Sequence, residues 1–377
     1  MRVLIIGLGA AGAMAAWRLA KQGHEVVGIE RFKRDHDQGS SFGDSRIVRR
    51  VYPDPFYTTL MRDSYSLWDE LMIDSNQPNL FSQCGGIFVG SKDHPHLIQA
   101  KAALSQSGVP FEELGAEACK ERFPAFPLQA NETALFEQSM GYARASLSVK
   151  AALQCAEKSG AVFYEETVVE RVEKRGERIR ACDSDGKVYE ADRLLLTPGP
   201  WIAPMLAHFG VRIPVKVTRQ VYVHLEPKLL FESEFEENRF PVWIDAEANA
   251  YGFPKLGALP GVKIGMHDFG EETDPSVARR SINENDIAPI LRYSRRRFPK
   301  LTEKILYEKL CLYTTTAVED FIVDGIPGIE GAFFISACSG HGFKFASVLG
   351  EVLADLATGR VPAFDLHPFR LSRFTTT

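Results

Sequence analysis

The chain has 377 residues, enough for two domains at roughly 100–200 residues each. Its 49 acidic and 44 basic side chains leave a formal net charge of -5, which argues against the basic surface that holds nucleic acid. With 45% hydrophobic and 25% charged residues the composition is that of a globular protein, and no apolar run approaches the roughly 18 residues of a membrane span.

Residues 2–6 read as a buried strand, 10–22 as a helix and 25–30 as a second strand, a unit that opens a parallel sheet. Between the first strand and the helix stands Gly7-Leu8-Gly9-Ala10-Ala11-Gly12, and Glu30 follows eighteen residues after Gly12. In that context G-x-G-x-x-G is a dinucleotide fingerprint. Gly7 permits the tight turn, Gly9 lets the backbone approach a pyrophosphate, and Gly12 lets helix and strand pack closely. Ala10 and Ala11 open the helix, whose free N–H groups favour phosphate. Glu30, followed by Arg31, is placed to accept from a ribose hydroxyl. The fingerprint does not separate FAD from NAD.

Apolar residues at 60, 61, 65, 68, 71 and 72 predict a helix over 58–72. A helix over 146–158 and a strand over 162–164 follow. The strand-like 167–172 brings the Val169 backbone toward an adenine. The strand 194–196 runs into Thr197-Pro198-Gly199, a turn that suits close cofactor packing at Gly199. A strand over 333–337 and a helix over 342–357 close the pattern. These pieces make one dinucleotide-binding domain in three parts, 1–84, 141–213 and 308–377. The stretches 85–140 and 214–307 are richer in proline, charge and short β-like runs such as 219–224, and are expected to form the substrate domain. Arg295-Arg296-Arg297 reads as a solvated helix face. The six cysteines, at 84, 119, 155, 182, 311 and 338, contain no Cys-x-x-Cys, so no metal is expected and free, buried thiols are. Val3–Ile6 runs straight into glycines, unlike a signal peptide, and the end Phe374-Thr375-Thr376-Thr377 is not a peroxisomal address. A cytoplasmic protein is expected.

The stretch Gly39-Ser40-Ser41-Phe42-Gly43-Asp44-Ser45-Arg46-Ile47-Val48-Arg49 resembles the monomeric sarcosine oxidase family, with N-methyltryptophan oxidase and pipecolate oxidase as relatives. Three further stretches agree in order and spacing. They are Tyr251-Gly252-Phe253-Pro254 leading to Lys263-Ile264-Gly265-Met266-His267, then Cys311-Leu312-Tyr313-Thr314, then Ser339-Gly340-His341-Gly342-Phe343-Lys344. Pro368-Phe369-Arg370-Leu371-Ser372-Arg373-Phe374 extends the likeness over nearly the whole chain. The resemblance, not composition, turns the dinucleotide into FAD. It implies an α/β fold: a Rossmann-like FAD-binding domain of the glutathione-reductase type, with an α+β substrate domain built on an antiparallel sheet.

The same resemblance implies roles for residues. Cys311 matches the cysteine joined covalently to the flavin's 8α carbon, where the thiolate is the required nucleophile. Arg49 and Lys344 match a clamp on the substrate carboxylate, one planar and bidentate, the other a point charge. Ser45 and Arg46 match a pair beside the flavin ring. Lys263 matches the lysine that helps dioxygen react, by charge placed where negative charge develops. Tyr251 and His267 match residues of the substrate site. Ser40, Ser41, Gly340, Gly342 and Phe343 belong with the cofactor.

The implied activity is oxidation of a secondary or N-alkyl amino acid to an imine, with dioxygen reduced to hydrogen peroxide. The partners are then a small amino acid and dioxygen, and the protein is expected to be a monomer. Two alternatives stay open: a flavin amine dehydrogenase with another electron acceptor, and a flavin-binding sensor without turnover. The chain departs from the family at Phe42, where many relatives have His. It has Thr315-Thr316-Ala317-Val318-Glu319 where relatives continue Asn-Thr-Pro-Asp-Glu, and its loop between Tyr251 and Lys263 is longer. These changes touch the pocket and leave the amine open among sarcosine, proline, pipecolate, N-methyltryptophan and sugar-modified amino acids.

Overall fold

Alternation within the first strand already divides the molecule into layers. Val3 and Ile5 pack with the helices Ala10–Lys21, Ala145–Lys158 and Ala346–Thr358. Leu4 and Ile6 face the other way, into a core shared with Ile179, Ala181 and Tyr189. Those last residues belong to a three-stranded antiparallel sheet, Val169–Arg175, Arg178–Asp183 and Val188–Ala191. A strand buried on both faces reads as a continuous apolar run, as 3–6 does. The computed structural model describes residues 1–267 and 270–374; residues 375–377, part of the end read for a peroxisomal address, lie outside them.

The strand Arg2–Ile6 is central in a six-stranded sheet. Its order is Ile322–Gly325, Ala332–Ser336, Arg193–Leu196, Arg2–Ile6, Glu25–Ile29, Val162–Tyr164. Neighbours are parallel except Ile322–Gly325 and Ala332–Ser336. Close helix packing on this sheet depends on Gly350, where a Cβ would meet Met14 and Ala15.

Two predicted helices start elsewhere. The one expected over 58–72 is Pro55–Ser75, because Asp54 accepts from Phe56 N–H at 2.8 Å and Pro55 fits the first turn. The one expected over 342–357 begins at Ala346. Gly342 is tucked against the Ala337 carbonyl, and Phe343–Phe345 winds as a tighter 3-10 turn.

The second large sheet has eight strands in the order Leu301–Thr316, Val215–Pro227, Val262–Met266, Ala250–Phe253, Val242–Asp245, Gly86–Ser91, Glu132–Glu137, Glu112–Leu114. It is antiparallel except where Val242–Asp245 meets Gly86–Ser91. Phe126, Phe240, Trp243 and Phe298 fill the core between it and the helix Glu284–Arg297. That helix corrects the reading of 295–297 as a solvated face. Arg295 does pair with Glu303 at the surface. Arg297 lies round the helix, 7% exposed, with two bonds of 2.7 Å to Glu132 and one of 2.7 Å to Asp245.

No disulfide joins the cysteines. Cys119, Cys155 and Cys311 are buried as expected, whereas Cys84, Cys182 and Cys338 are partly exposed. Among the described residues no helix is long and apolar enough to cross a membrane. A third small sheet, Arg46–Val48, Gly141–Ala143 and Phe81–Gln83, carries the chain from the dinucleotide turn to the antiparallel sheet.

Candidate active site

One cavity of about 960 Å³ extends from the Gly7 turn to the Lys344 turn, between the two large sheets. At its first end Gly7 has φ +97, in the region glycine alone enters without strain. Gly9 caps the helix Ala10–Lys21 without a side-chain bond, and the first turn holds no acidic residue. The Ala10 N–H donates to Ser41 Oγ at 3.0 Å. Ala11 also lines the cavity; Gly12 lies behind it, where a Cβ would meet Gly7 O and Thr197 Oγ1. Glu30 is buried, and its carboxylate accepts from Leu8 N–H at 2.9 Å and Phe32 N–H at 3.1 Å. Lone pairs remain for a hydroxyl. Arg31 lies 5.0 Å from the Phe32 and Trp201 ring centres, and Val169 and Gly199 line the same end. An uncapped helix end free of acids, a turn with no room for side chains and a buried carboxylate fit a dinucleotide.

The other end is cationic. Arg46 donates only to carbonyls, of Ser40 at 3.0 Å, Phe42 at 2.6 Å and Ser45 at 2.8 Å. Lys263 Nζ donates to Ser45 O at 3.1 Å and Ser45 Oγ at 3.0 Å. Arg49 donates to Val51 O at 2.6 Å and lies 4.0 Å from the Tyr52 ring centre, and its buried Nε has no partner among the described groups. Lys344 Nζ donates to His341 O at 2.6 Å. Among the described residues, none of these four cations forms an ion pair with a carboxylate. Burial holds the Lys263 and Lys344 pKa values well below the ordinary lysine value, and Arg46 and Arg49, respectively, push the same way. Buried charge without a counter-charge is costly, so this end is complementary to anions.

Strand register supplies the rest. Cys311 and Tyr313 alternate onto one face of Leu301–Thr316 and both line the cavity. Burial raises the Cys311 thiol pKa, while Arg46 and then Lys263 pull it down. Burial, then Cys311, pushes the Tyr251 hydroxyl up to about 12. His267 lies 5.8 Å from the Tyr313 ring and 3.5 Å from the Glu319 carboxylate. Gly340, at φ +72, leaves these rings room, since a Cβ there would strike both. Ser40, Gly342 and Phe343 are on the cavity as well. Phe42 is buried beneath two cations, Lys309 at 5.7 Å and Arg46 at 5.9 Å.

The cavity therefore gathers every residue given a site role from the sequence except Gly12; of the departing stretch 315–319 only Val318 and Glu319 reach it. It also gathers His341, Tyr52 and Tyr222, which had no assigned role. His341 Nε2 faces the Glu319 carbonyl at 3.0 Å, so that nitrogen carries the proton and Nδ1 accepts from Tyr52 OH at 3.2 Å. Trp68 Nε1 and Ser64 Oγ anchor the Lys344 carbonyl from the helix Pro55–Ser75, at 2.9 Å and 2.6 Å. Tyr52 is three residues after Arg49 and was open to discovery there. Tyr222, whose ring lies 4.0 Å from Lys263 Nζ, meets it only through strand pairing.

Comparison with known proteins gives the family. A family model described as FAD dependent oxidoreductase matches residues 2–356. The chain is 31% identical to N-methyl-L-tryptophan oxidase of Salmonella heidelberg (strain SL476), over 99% of each. It is 32% identical to monomeric sarcosine oxidase of Streptomyces avermitilis, over 98% of this chain and 96% of that one. Among solved structures it resembles NikD, an unusual amino acid oxidase essential for nikkomycin biosynthesis. The TM-score is 0.84 at 21% identity, over 98% of this chain and 96% of the other. Glycine oxidase from Geobacillus kaustophilus gives a TM-score of 0.83 at 19% identity over 100% of both chains. At these identities the structural likeness speaks for the fold.

Proposed function

Because this chain belongs to the family of FAD-dependent oxidoreductases, we propose that it oxidises a secondary or N-alkyl amino acid, of the sarcosine, N-methyl amino acid, proline or pipecolate type. The observation that carries the reading is a set of four cations, the buried Lys263 and Lys344 and the half-buried Arg46 and Arg49, which pair with no carboxylate among the described residues and line the cavity that begins at the dinucleotide turn. FAD, when bound, supplies the electron acceptor for hydride from the carbon beside the amine and delivers the electrons to dioxygen.

The Gly7–Gly9 turn and the helix behind it would hold the pyrophosphate, Glu30 a ribose hydroxyl, and the Val169 backbone the adenine. Cys311 would hold the flavin by a thioether at its 8α carbon; that bond would replace the thiol S–H and one 8α C–H, leaving two electrons on the flavin ring for dioxygen to remove. The thiol proton must leave first, and Arg46 and Lys263 favour the thiolate against burial.

Arg49 and Lys344 bind the substrate carboxylate, which supplies the counter-charge both lack. Their positive field also disfavours an ammonium on the substrate. That matters because only the neutral amine has a lone pair to drive hydride from carbon. Tyr251 and His267 bound the space beside the amine. The imine product departs and is hydrolysed by water. Lys263, held by Ser45, places positive charge where dioxygen takes up electrons on the way to hydrogen peroxide.

Peroxide release from a panel of N-substituted amino acids in air, run beside turnover under argon with an artificial acceptor, tests the reading. Peroxide equal to the amine consumed is the expected result. Turnover with the artificial acceptor alone would make the protein a dehydrogenase, and no turnover at all a binding protein.

A further inference from the structure

Lys263 lines a second cavity, of about 10 Å³, together with Asp44, Tyr222, His224 and loop residues that include Pro254 and Leu259. His224 and Lys263 are directly opposed on neighbouring antiparallel strands, so their side chains leave the sheet on the same face. His224 is 7% exposed. Its Nδ1 lies 3.1 Å from the Pro260 carbonyl oxygen, which can only accept, so Nδ1 carries the proton. Burial, and then the Lys263 charge, push the imidazole pKa down to about 4. The ring is neutral at pH 7, and Nε2 presents a lone pair. That Nε2 is buried and has no partner among the described protein groups. As the ammonium, Lys263 has three N–H donors, two of them on Ser45. A spare donor and a spare acceptor thus border a cavity at the lower limit of size for one water molecule.

We propose that this cavity holds one water, which accepts from Lys263 Nζ and donates to His224 Nε2, and that His224 is through it a positioning residue for Lys263. The inference rests on the reading of Lys263 as the group that meets dioxygen. The water gives the ammonium a third acceptor, fixes its place, and favours its charged form against burial. The other ionisable groups around Lys263 are Arg46, which opposes its charge, Asp44, which favours it, Cys311, which favours it only as a free thiolate and not once bonded to flavin, and Tyr222 beneath it. All four stay in place when His224 alone is changed.

The test pairs a crystal structure of the holoenzyme with stopped-flow reoxidation across pH. In the wild type a water is expected within hydrogen-bond distance of both Lys263 Nζ and His224 Nε2. His224→Phe should lose it, and the pH above which flavin reoxidation fails should drop by about one to two units, the worth of one charge-assisted hydrogen bond. Flavin reduction by substrate under argon should stay at the wild-type rate. His224→Gln keeps an acceptor and should restore most of the wild-type limit; His224→Leu makes the same comparison as phenylalanine if that variant does not fold. No ordered water between the two atoms in the wild type overturns the proposal. So does an unchanged pH limit in folded, flavin-loaded His224→Phe. Lys263→Met reoxidised at the wild-type rate overturns the oxygen reading and the positioning role with it, even where the water is seen.

Discussion

Cys311 stands between opposed influences: burial holds its proton on, and Arg46 and Lys263 draw it off. If it is the attachment point, acid-precipitated wild-type protein stays yellow, and the mass of the peptide holding Cys311 includes FAD. Cys311→Ser should release all its flavin into the supernatant. Complete release from matured wild type rules the bond out. The clamp makes a second prediction. Arg49→Ala or Lys344→Ala should raise KM for carboxylate substrates, since removing one partner of a desolvated charge pair costs about 2–5 kcal/mol. A simple amine should lose far less, and equal losses count against the carboxylate role. Cys311, Arg49, Lys263 and Lys344 were legible because each lies in a contiguous motif. Tyr222 and His224 were not, because what they touch depends on the pairing of Val215–Pro227 with Val262–Met266, which no local pattern encodes.

The helix Glu284–Arg297 shows the same limit at the scale of elements. Three consecutive arginines look alike in sequence, but each residue turns about 100° round the helix, so they meet different surroundings. Arg297 joins Glu132 and Asp245 from two strands of the antiparallel sheet, and Tyr293 OH donates to Asp245 at 2.9 Å. Arg297→Met should destabilise the protein by about 3–5 kcal/mol, because it leaves buried carboxylates without their cation. A urea midpoint close to wild type would show the network to be dispensable. Periodicity located the helix over 58–72 but not its start, which depends on the Asp54 cap. The proposed boundary between 307 and 308 falls inside the strand Leu301–Thr316, and composition cannot divide a continuous strand. Parallel strands flanking a glycine turn were the easier part, since burial on both faces writes itself into the residues.

Over the whole molecule, histidines held neutral by their surroundings, the buried His224 and the half-buried His341, tie stability to pH. Unfolded histidine takes up a proton near pH 6.5, whereas burial keeps native His224 neutral down to about 4 and holds His341 well below its ordinary value. The unfolded state then binds more protons, so this stability is present above about pH 6.5 and is lost as pH falls, by about 1.4 kcal/mol per unit for each histidine. Urea midpoints from pH 7 to pH 5 should show the slope, shallower in His224→Phe; identical slopes would show that His224 takes up its proton alike in both states. The two half-reactions separate at Lys263. Lys263→Met should slow flavin reoxidation by about 100- to 1,000-fold, the usual effect of losing a preorganised charge. Reduction under argon should change little, and the reverse pattern would assign Lys263 to substrate binding. An FAD-dependent oxidase of secondary or N-alkyl amino acids must cycle its flavin between two colours. The flavin-loaded protein is mixed under argon with sarcosine, N-methyl-L-tryptophan, proline and pipecolate in turn, and air is then admitted. At least one of them should bleach the flavin, and air should restore the colour with one peroxide per amine oxidised; a flavin that stays yellow with all four rules this activity out.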